Sequence, residues 1–435
     1  MPTPPSIDRG PHVALNPQVE SLEPSATLVI NEASNARIEA GLETWKFGLG
    51  QSPFPVPDVV VQALIAHAGE KDYLPVRGLE ALREAVANYH NRREGLTRSA
   101  ADVLVGPGSK ELLFLIQLAY RGDLVIPTPS WVSYAPQAQI IGRDVHWIPT
   151  SSEDAWRLSP EALDAHCRAG GERPRLLILN YPNNPTGASY TSAELESLAD
   201  VAQTHRMIIV SDEIYGDMHH RGEHVSIARH YPEGTIISGG ISKWCGAGGW
   251  RLGTFTFPPA MRWLLDAMAA IASETFTSTS APIQYAAIRA FEGGPEIERY
   301  LRDSRRLLDS LSHAMAETLE SAEIRIAPWD GGFYFLLDFS AHAARLESAG
   351  IHTSATLCRD LLDKTGVAIL PGSDFGRPPE ELTARLAYVD FDGVAALERV
   401  AQQPGSGRLD RQALTSICER CLEGASRIAR WIQST

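Results

Sequence analysis

A single lysine, Lys243, stands in the glycine-rich stretch Ser238 to Gly253, just past the apolar run Thr235 to Ile237, with Arg251 eight residues further on. An amine at a strand-to-loop junction with so little side-chain bulk around it is reachable yet held. That suits condensation with a carbonyl to form a Schiff base. An ordinary solvated loop lysine fits the same residues, so the neighbouring clusters decide. Asp212 follows the apolar run Ile208 to Val210, and a carboxylate at the tip of so apolar a strand needs a partner. A protonated ring nitrogen would serve, and so would the N–H groups of a helix start. Gly106-Pro107-Gly108-Ser109-Lys110 lies between a strand and a helix, where backbone N–H groups and the Ser109 hydroxyl form either a phosphate cradle or a plain helix cap. Trp131, in Pro127-Thr128-Pro129-Ser130-Trp131, either packs in a core or covers a flat ring. Asn183-Asn184-Pro185-Thr186-Gly187 has the chemistry of an ordinary turn. Arg385, inside the apolar run Thr383 to Tyr388, suits bidentate capture of a carboxylate.

These groups fall where strands end. Val103 to Val105, Asp123 to Ile126, Val145 to Ile148, Leu176 to Asn180, Met207 to Ser211, Thr235 to Ser238 and Leu252 to Phe257 read as strands. Lys110 to Tyr120 and Ala193 to His205 read as helices between them. The alternation predicts an α/β fold with a large, mainly parallel sheet covered by helices on both faces, and such sheets bind ligands at the carboxyl ends of their strands. Upstream, Leu28 to Ala40, Val59 to Ala68 and Leu79 to Arg92 have helical spacing, and Leu42 to Leu49 looks extended. Pro295 to Ala322 reads as one long polar helix leading to a smaller α+β unit. That unit has strands at Gly332 to Leu337, Val367 to Leu370 and Thr383 to Tyr388, and helices at Thr353 to Thr365 and Arg411 to Ile432. The expected organisation is a Pro/Ser-rich arm over 1–25, a large domain over 51–295, and a small domain built from 26–50 with 296–435.

The 39 basic and 53 acidic residues give a net charge of −14, which disfavours nucleic acid and anionic membranes as partners. No apolar run has the length of a membrane span, and the N-terminus lacks the apolar core of a signal peptide. Five cysteines make a disulfide framework unattractive and a reducing cytoplasm the expected location. Cys418 and Cys421 form a lone C-x-x-C with no second pair to complete a metal site.

Taken in order, the clusters from about Trp45 to Tyr388 resemble the class I and II aminotransferases of the fold-type-I pyridoxal-phosphate enzymes. The resemblance implies that Lys243 forms the Schiff base with pyridoxal 5'-phosphate and that Asp212 pairs with the ring nitrogen. It implies that Tyr215 and Asn184 contact the ring's phenolic oxygen and that Trp131 stacks on the ring. Gly108, Ser109, Lys110, Ser242 and Arg251 would surround the phosphate, Tyr73 would reach it across a homodimer interface, and Arg385 would receive the substrate's α-carboxylate. Gly50 resembles part of a mobile segment that closes over substrate, with Trp131 and Asn184 also facing it. The stretches Gly331 to Tyr334 and Pro371 to Gly376 are family-like and read as structural. The peptide bonds Thr128–Pro129 and Asn184–Pro185 are expected to be cis. Substrates would be an L-amino acid and a 2-oxo acid, exchanged in a ping-pong scheme.

Two departures stand out. Gly240 occupies a position where many relatives carry a phosphate-binding serine, and Ser273-Glu274-Thr275-Phe276 lacks the arginine that one dicarboxylate-specific group supplies from the neighbouring subunit. The same residues would also serve a lyase, cyclase or oxidase acting on an amino acid. A binding protein with an aminotransferase-like domain is a third class, against which the acidic charge and the lack of a basic DNA-binding segment argue.

Overall fold

The computed structural model describes residues 15–403 and 405–435. The arm expected over 1–25 therefore lies mostly outside the described residues. Its described end forms a short helix, Pro17–Glu20, beside which Ser21 accepts a hydrogen bond from Gln139.

Strand β1 (Trp45–Lys46) precedes a seven-stranded sheet made of β2 (Val103–Gly106), β3 (Asp123–Thr128), β4 (Val145–Pro149), β5 (Arg175–Asn180), β6 (Ile208–Asp212), β7 (Thr235–Gly240) and β8 (Gly253–Thr256). Its order is β2-β8-β7-β6-β5-β3-β4, with β8 antiparallel to both neighbours and the other pairings parallel. The buried strands read as continuous apolar runs because both faces are covered. Leu176, Ile178, Ile208 and Val210 point toward helices Ser109–Ala119 and Arg262–Glu274, meeting Leu112, Ile116, Leu264 and Met268. Leu177, Leu179 and Ile209 point the other way, onto Leu163, Leu195 and Leu198 of helices Pro160–Gly170 and Ser192–Thr204. This alternation fixes the register, since a one-residue slip would exchange the two cores. Thr191 and Glu194 close a capping box at the start of the second of these helices.

A four-stranded antiparallel sheet joins β9 (Arg325–Ile326), β10 (Tyr334–Asp338), β12 (Leu370–Pro371) and β13 (Thr383–Ala387), while β11 (Val367–Ala368) pairs instead with β1. The single strand expected over Val367 to Leu370 is thus two, serving different sheets. The helix Pro295–Glu320 is amphipathic rather than polar throughout: Ile297, Leu301, Leu308, Leu311, Met315 and Leu319 are buried, and it packs against the final helix Arg411–Ser434. Their spacing of three, four and seven residues makes one apolar stripe. The largest core is continuous from Trp45 through Phe291 and Leu311 to Ile432, so the packing has no gap near residue 295. Among the described residues, no helix is long and apolar enough to cross a membrane.

Candidate functional site

Asn180 and Asp212 end adjacent parallel strands, and the chain leaving β7 brings Lys243 back over them. There a cavity of about 340 Å³ opens, lined in part by Asn184, Asp212, Tyr215, Ser242, Lys243 and Arg251. Gly50, Ser109, Lys110 and Trp131 complete the expected residues on its wall. The size is that of a small-molecule site.

Lys243 donates from Nζ to the Gly50 carbonyl at 2.6 Å and lies 5.6 Å from the Tyr215 ring centroid. Burial, followed by the positive charges of Arg385 and Arg251, lowers its amine to about 8. Asp212 is 3% exposed. Burial raises its carboxyl to about 6, against hydrogen bonds from Tyr134, Ser238 and the Ile214 N–H that favour the charged form. The Tyr134 hydroxyl donates at 2.6 Å and that of Ser238 at 3.2 Å. Asn180 donates to the Asp212 carbonyl at 2.8 Å and accepts from the Asn184 N–H at 2.8 Å, tying the two strand ends together.

Helix Ser109–Ala119 starts at the cavity, with Ser109 and Lys110 on the wall and no side-chain cap on its first turn. Gly108 has φ +93°, and a Cβ there would overlap the Arg251 guanidinium. Arg251 itself takes a left-handed backbone conformation, φ 55°, uncommon outside glycine, and donates to Gly248 O at 3.0 Å and Pro107 O at 3.2 Å. Lys110 lies 5.4 Å from the Trp131 ring centroid, and burial, then Arg251, pulls its amine below the usual lysine range. Loop and helix start thus form one cationic cradle with room for a phosphate.

Arg385 is fully buried behind this wall. It donates to Asn184 Oδ1 at 3.4 Å and to Gly48 O, and its Nε has no partner. Tyr73 is 89% exposed and stands outside the cavity. Ser242, rather than Gly240, reaches the wall. Among the described residues the cis bonds are Thr128–Pro129 and Tyr181–Pro182, so the expectation for Asn184–Pro185 is corrected. Those two residues sit inside a turn in which Gly187 N donates to Asn183 O at 2.7 Å and Asn183 Oδ1 accepts from Thr186 N at 3.2 Å, a path the trans bond follows.

Sequence reasoning missed Tyr134, Asn180, Ser238 and Tyr334. Tyr334 bonds the Tyr215 hydroxyl at 2.7 Å. Tyr134 carried a signal in hindsight, three residues after Trp131 and at the first turn of helix Tyr134–Ile140, hence on the same side of the loop.

A profile of the family described as aminotransferase class I and II matches residues 43–390. An aspartate aminotransferase of Geobacillus stearothermophilus is 33% identical over 394 residues, which is 88% of this chain and 97% of that protein. The aspartate/prephenate aminotransferase of Thermus thermophilus is 30% identical over 398 residues, 90% of this chain and 99% of its own. The solved structure of Thermus thermophilus aspartate aminotransferase with maleate is similar at a TM-score of 0.82 and 28% identity, covering 96% of this chain and all of that one.

Proposed function

The chain belongs to the class I and II aminotransferase family, and from that premise we propose that it exchanges an amino group between an L-amino acid and a 2-oxo acid, with pyridoxal phosphate held at Lys243. The observation that carries this reading is one cavity faced by both a lysine with a lowered amine pKa and a buried carboxylate.

The residues present fit the cofactor. The Gly108 to Lys110 cradle has donors and no obstructing Cβ, and Asp212 is a buried anion in want of a cation. Bound there, pyridoxal phosphate supplies an electron sink for charge developing at the substrate's Cα. Asp212 would hold a proton on the ring nitrogen. Tyr134 and Ser238 keep that carboxylate ionised at neutral pH. Tyr215 and Asn184 would lie on the side of the phenolic oxygen, Trp131 would cover the ring, and Ser109, Lys110, Ser242 and Arg251 would hold the phosphate. Lys243, once its amine is free of the cofactor, would take the proton from the substrate's Cα as a general base. Arg385 binds the α-carboxylate once Gly48 O gives way.

The same reading makes the protein a homodimer, and the exposed ring of Tyr73, free to reach a second subunit's site, supports it. The names of the relatives, aspartate and aspartate/prephenate aminotransferases, support a dicarboxylic substrate. Buried free cysteines suit a reducing cytoplasm. The test is a panel of L-amino acids offered with 2-oxoglutarate, reading new amino acid and free ammonia together. Amino transfer, strongest from a dicarboxylic donor, is expected. Ammonia or a cyclised product formed without any oxo acid sinks the proposal.

A further inference from the structure

Tyr334 belongs to none of the roles above, yet it touches three of them. Its hydroxyl lies 2.7 Å from that of Tyr215 and 3.5 Å from the Gly50 carbonyl. The two rings meet edge to face at 5.4 Å, and the Arg385 guanidinium lies 4.9 Å from the Tyr334 ring centroid. Both tyrosines are buried, so their hydroxyls bond each other or protein groups, not bulk water. Gly50 is packed so closely here that a Cβ on it would overlap the Tyr334 hydroxyl. The segment carrying Gly50 also carries Gly48, whose carbonyl occupies Arg385.

Each hydroxyl carries one proton. The pair uses one proton for its mutual bond, which leaves one for a third partner. If Tyr334 donates to Gly50 O, Tyr215 must donate to Tyr334 and has no proton left for the cavity. If Tyr334 donates to Tyr215, the Tyr215 proton is free to face the cavity. A carboxylate that docks end-on across both Nη groups of Arg385 competes with Gly48 O for Nη2, and Gly50 is only two residues further along the chain.

We propose that Tyr334 is a positioning residue that couples segment Gly48–Gln51 to the Tyr215 hydroxyl, so that displacement of the segment from Arg385 turns the pair's free proton toward the cofactor's phenolic oxygen. It rests on the functional reading given above, and it makes the site respond to a bound carboxylate through one hydrogen bond. The charged groups facing the pair are Arg385, Lys243 and Asp212, with the Tyr388 phenol also nearby. They remain in place when the Tyr334 hydroxyl is removed.

The experiment uses the protein loaded with pyridoxal phosphate and follows the pH at which the bound cofactor's visible absorbance changes, with and without the unreactive dicarboxylate maleate. Tyr334→Phe keeps the ring against Arg385. Without maleate, the variant's midpoint is expected about half to one pKa unit below that of the wild type, the size one hydrogen bond carries. With maleate bound, the two proteins should converge. In a Tyr215→Phe background, Tyr334→Phe should leave the midpoint unmoved. An unchanged or raised midpoint, or an offset that persists with maleate or survives loss of the Tyr215 hydroxyl, overturns the coupling. A wild-type protein that fails to bind pyridoxal phosphate refutes the functional reading instead.

Discussion

Replacing Tyr134 by phenylalanine removes one hydroxyl and leaves the ring in its core, so its effect on Asp212 can be worked out. The hydroxyl donates to Asp212 Oδ2 at 2.6 Å. A hydrogen bond to a charged group is worth about 1.5–3 kcal/mol, or about 1–2 pKa units. The Asp212 carboxyl, already raised from 3.8 to about 6 by burial, should therefore move to roughly 7–8. A carboxyl whose folded pKa is raised contributes stability in full below pH 3.8 and loses it as pH climbs through the folded value. In the wild type that loss is complete soon above pH 6; in the variant it runs on toward pH 8 or beyond. Between pH 5 and pH 8.5 the cofactor-free variant should thus lose about 1.5–3 kcal/mol relative to wild type. With an unfolding entropy of about 0.9 kcal/mol/K for a chain this long, the gap in thermal midpoint widens by about 2–3 °C over that range. Differential scanning fluorimetry of the two proteins, with and without Asp212→Asn, measures it. The widening should vanish in the Asn background. A gap that is constant with pH, or that widens equally without the carboxylate, refutes the assignment of Tyr134 as the group that keeps Asp212 charged.

Capture of pyridoxal phosphate by cofactor-free protein should accelerate with pH with a midpoint near 8, where half of Lys243 is neutral; a midpoint above 10 contradicts the lowered amine pKa. Arg385→Met removes the second-largest cause of that lowering, so its midpoint should rise, and it should also raise KM for amino acids by roughly 100-fold or more through the lost fork of charged hydrogen bonds. Retention of wild-type KM in that variant would show that the carboxylate binds elsewhere. Tyr73→Phe should weaken cofactor affinity by about ten-fold, as expected for one lost hydrogen bond to a charged group. Sedimentation should find the loaded protein dimeric; a monomer that binds cofactor as tightly removes Tyr73 from the site.

The strands were legible because buried parallel strands announce themselves as short apolar runs, and Lys243, Asp212, Arg251 and Asn184 sit at or just beyond the ends of such runs. Arg385 was legible as a guanidinium in an otherwise apolar strand. What the chain did not disclose is who satisfies whom. The Asp212–Tyr134 bond spans 78 residues and the Tyr215–Tyr334 bond 119, and no local pattern encodes a contact over that distance. The family-like run Gly331 to Tyr334 read as structural because a tyrosine beginning a buried strand looks like core until its hydroxyl is traced. The split of Val367 to Leu370 between two sheets was hidden for a similar reason: the partner strands β1 and β13 lie hundreds of residues upstream and a dozen downstream. Helices Pro160–Gly170, Arg262–Glu274 and Ala281–Glu292 were overlooked, although the first carries a Ser159 cap and a proline in its first turn, the usual signs of a helix start.

The chain has five lysines, Lys46, Lys71, Lys110, Lys243 and Lys364, and of these only Lys110 and Lys243 line the cavity. Borohydride reduction of the protein loaded with pyridoxal phosphate, followed by peptide mapping by mass spectrometry, identifies the amine that holds the cofactor. A pyridoxyl group on Lys243 alone, absent from Lys243→Ala, is the expected result. Label on Lys110, or no label on any lysine, contradicts the covalent role of Lys243 on which the proposed chemistry stands.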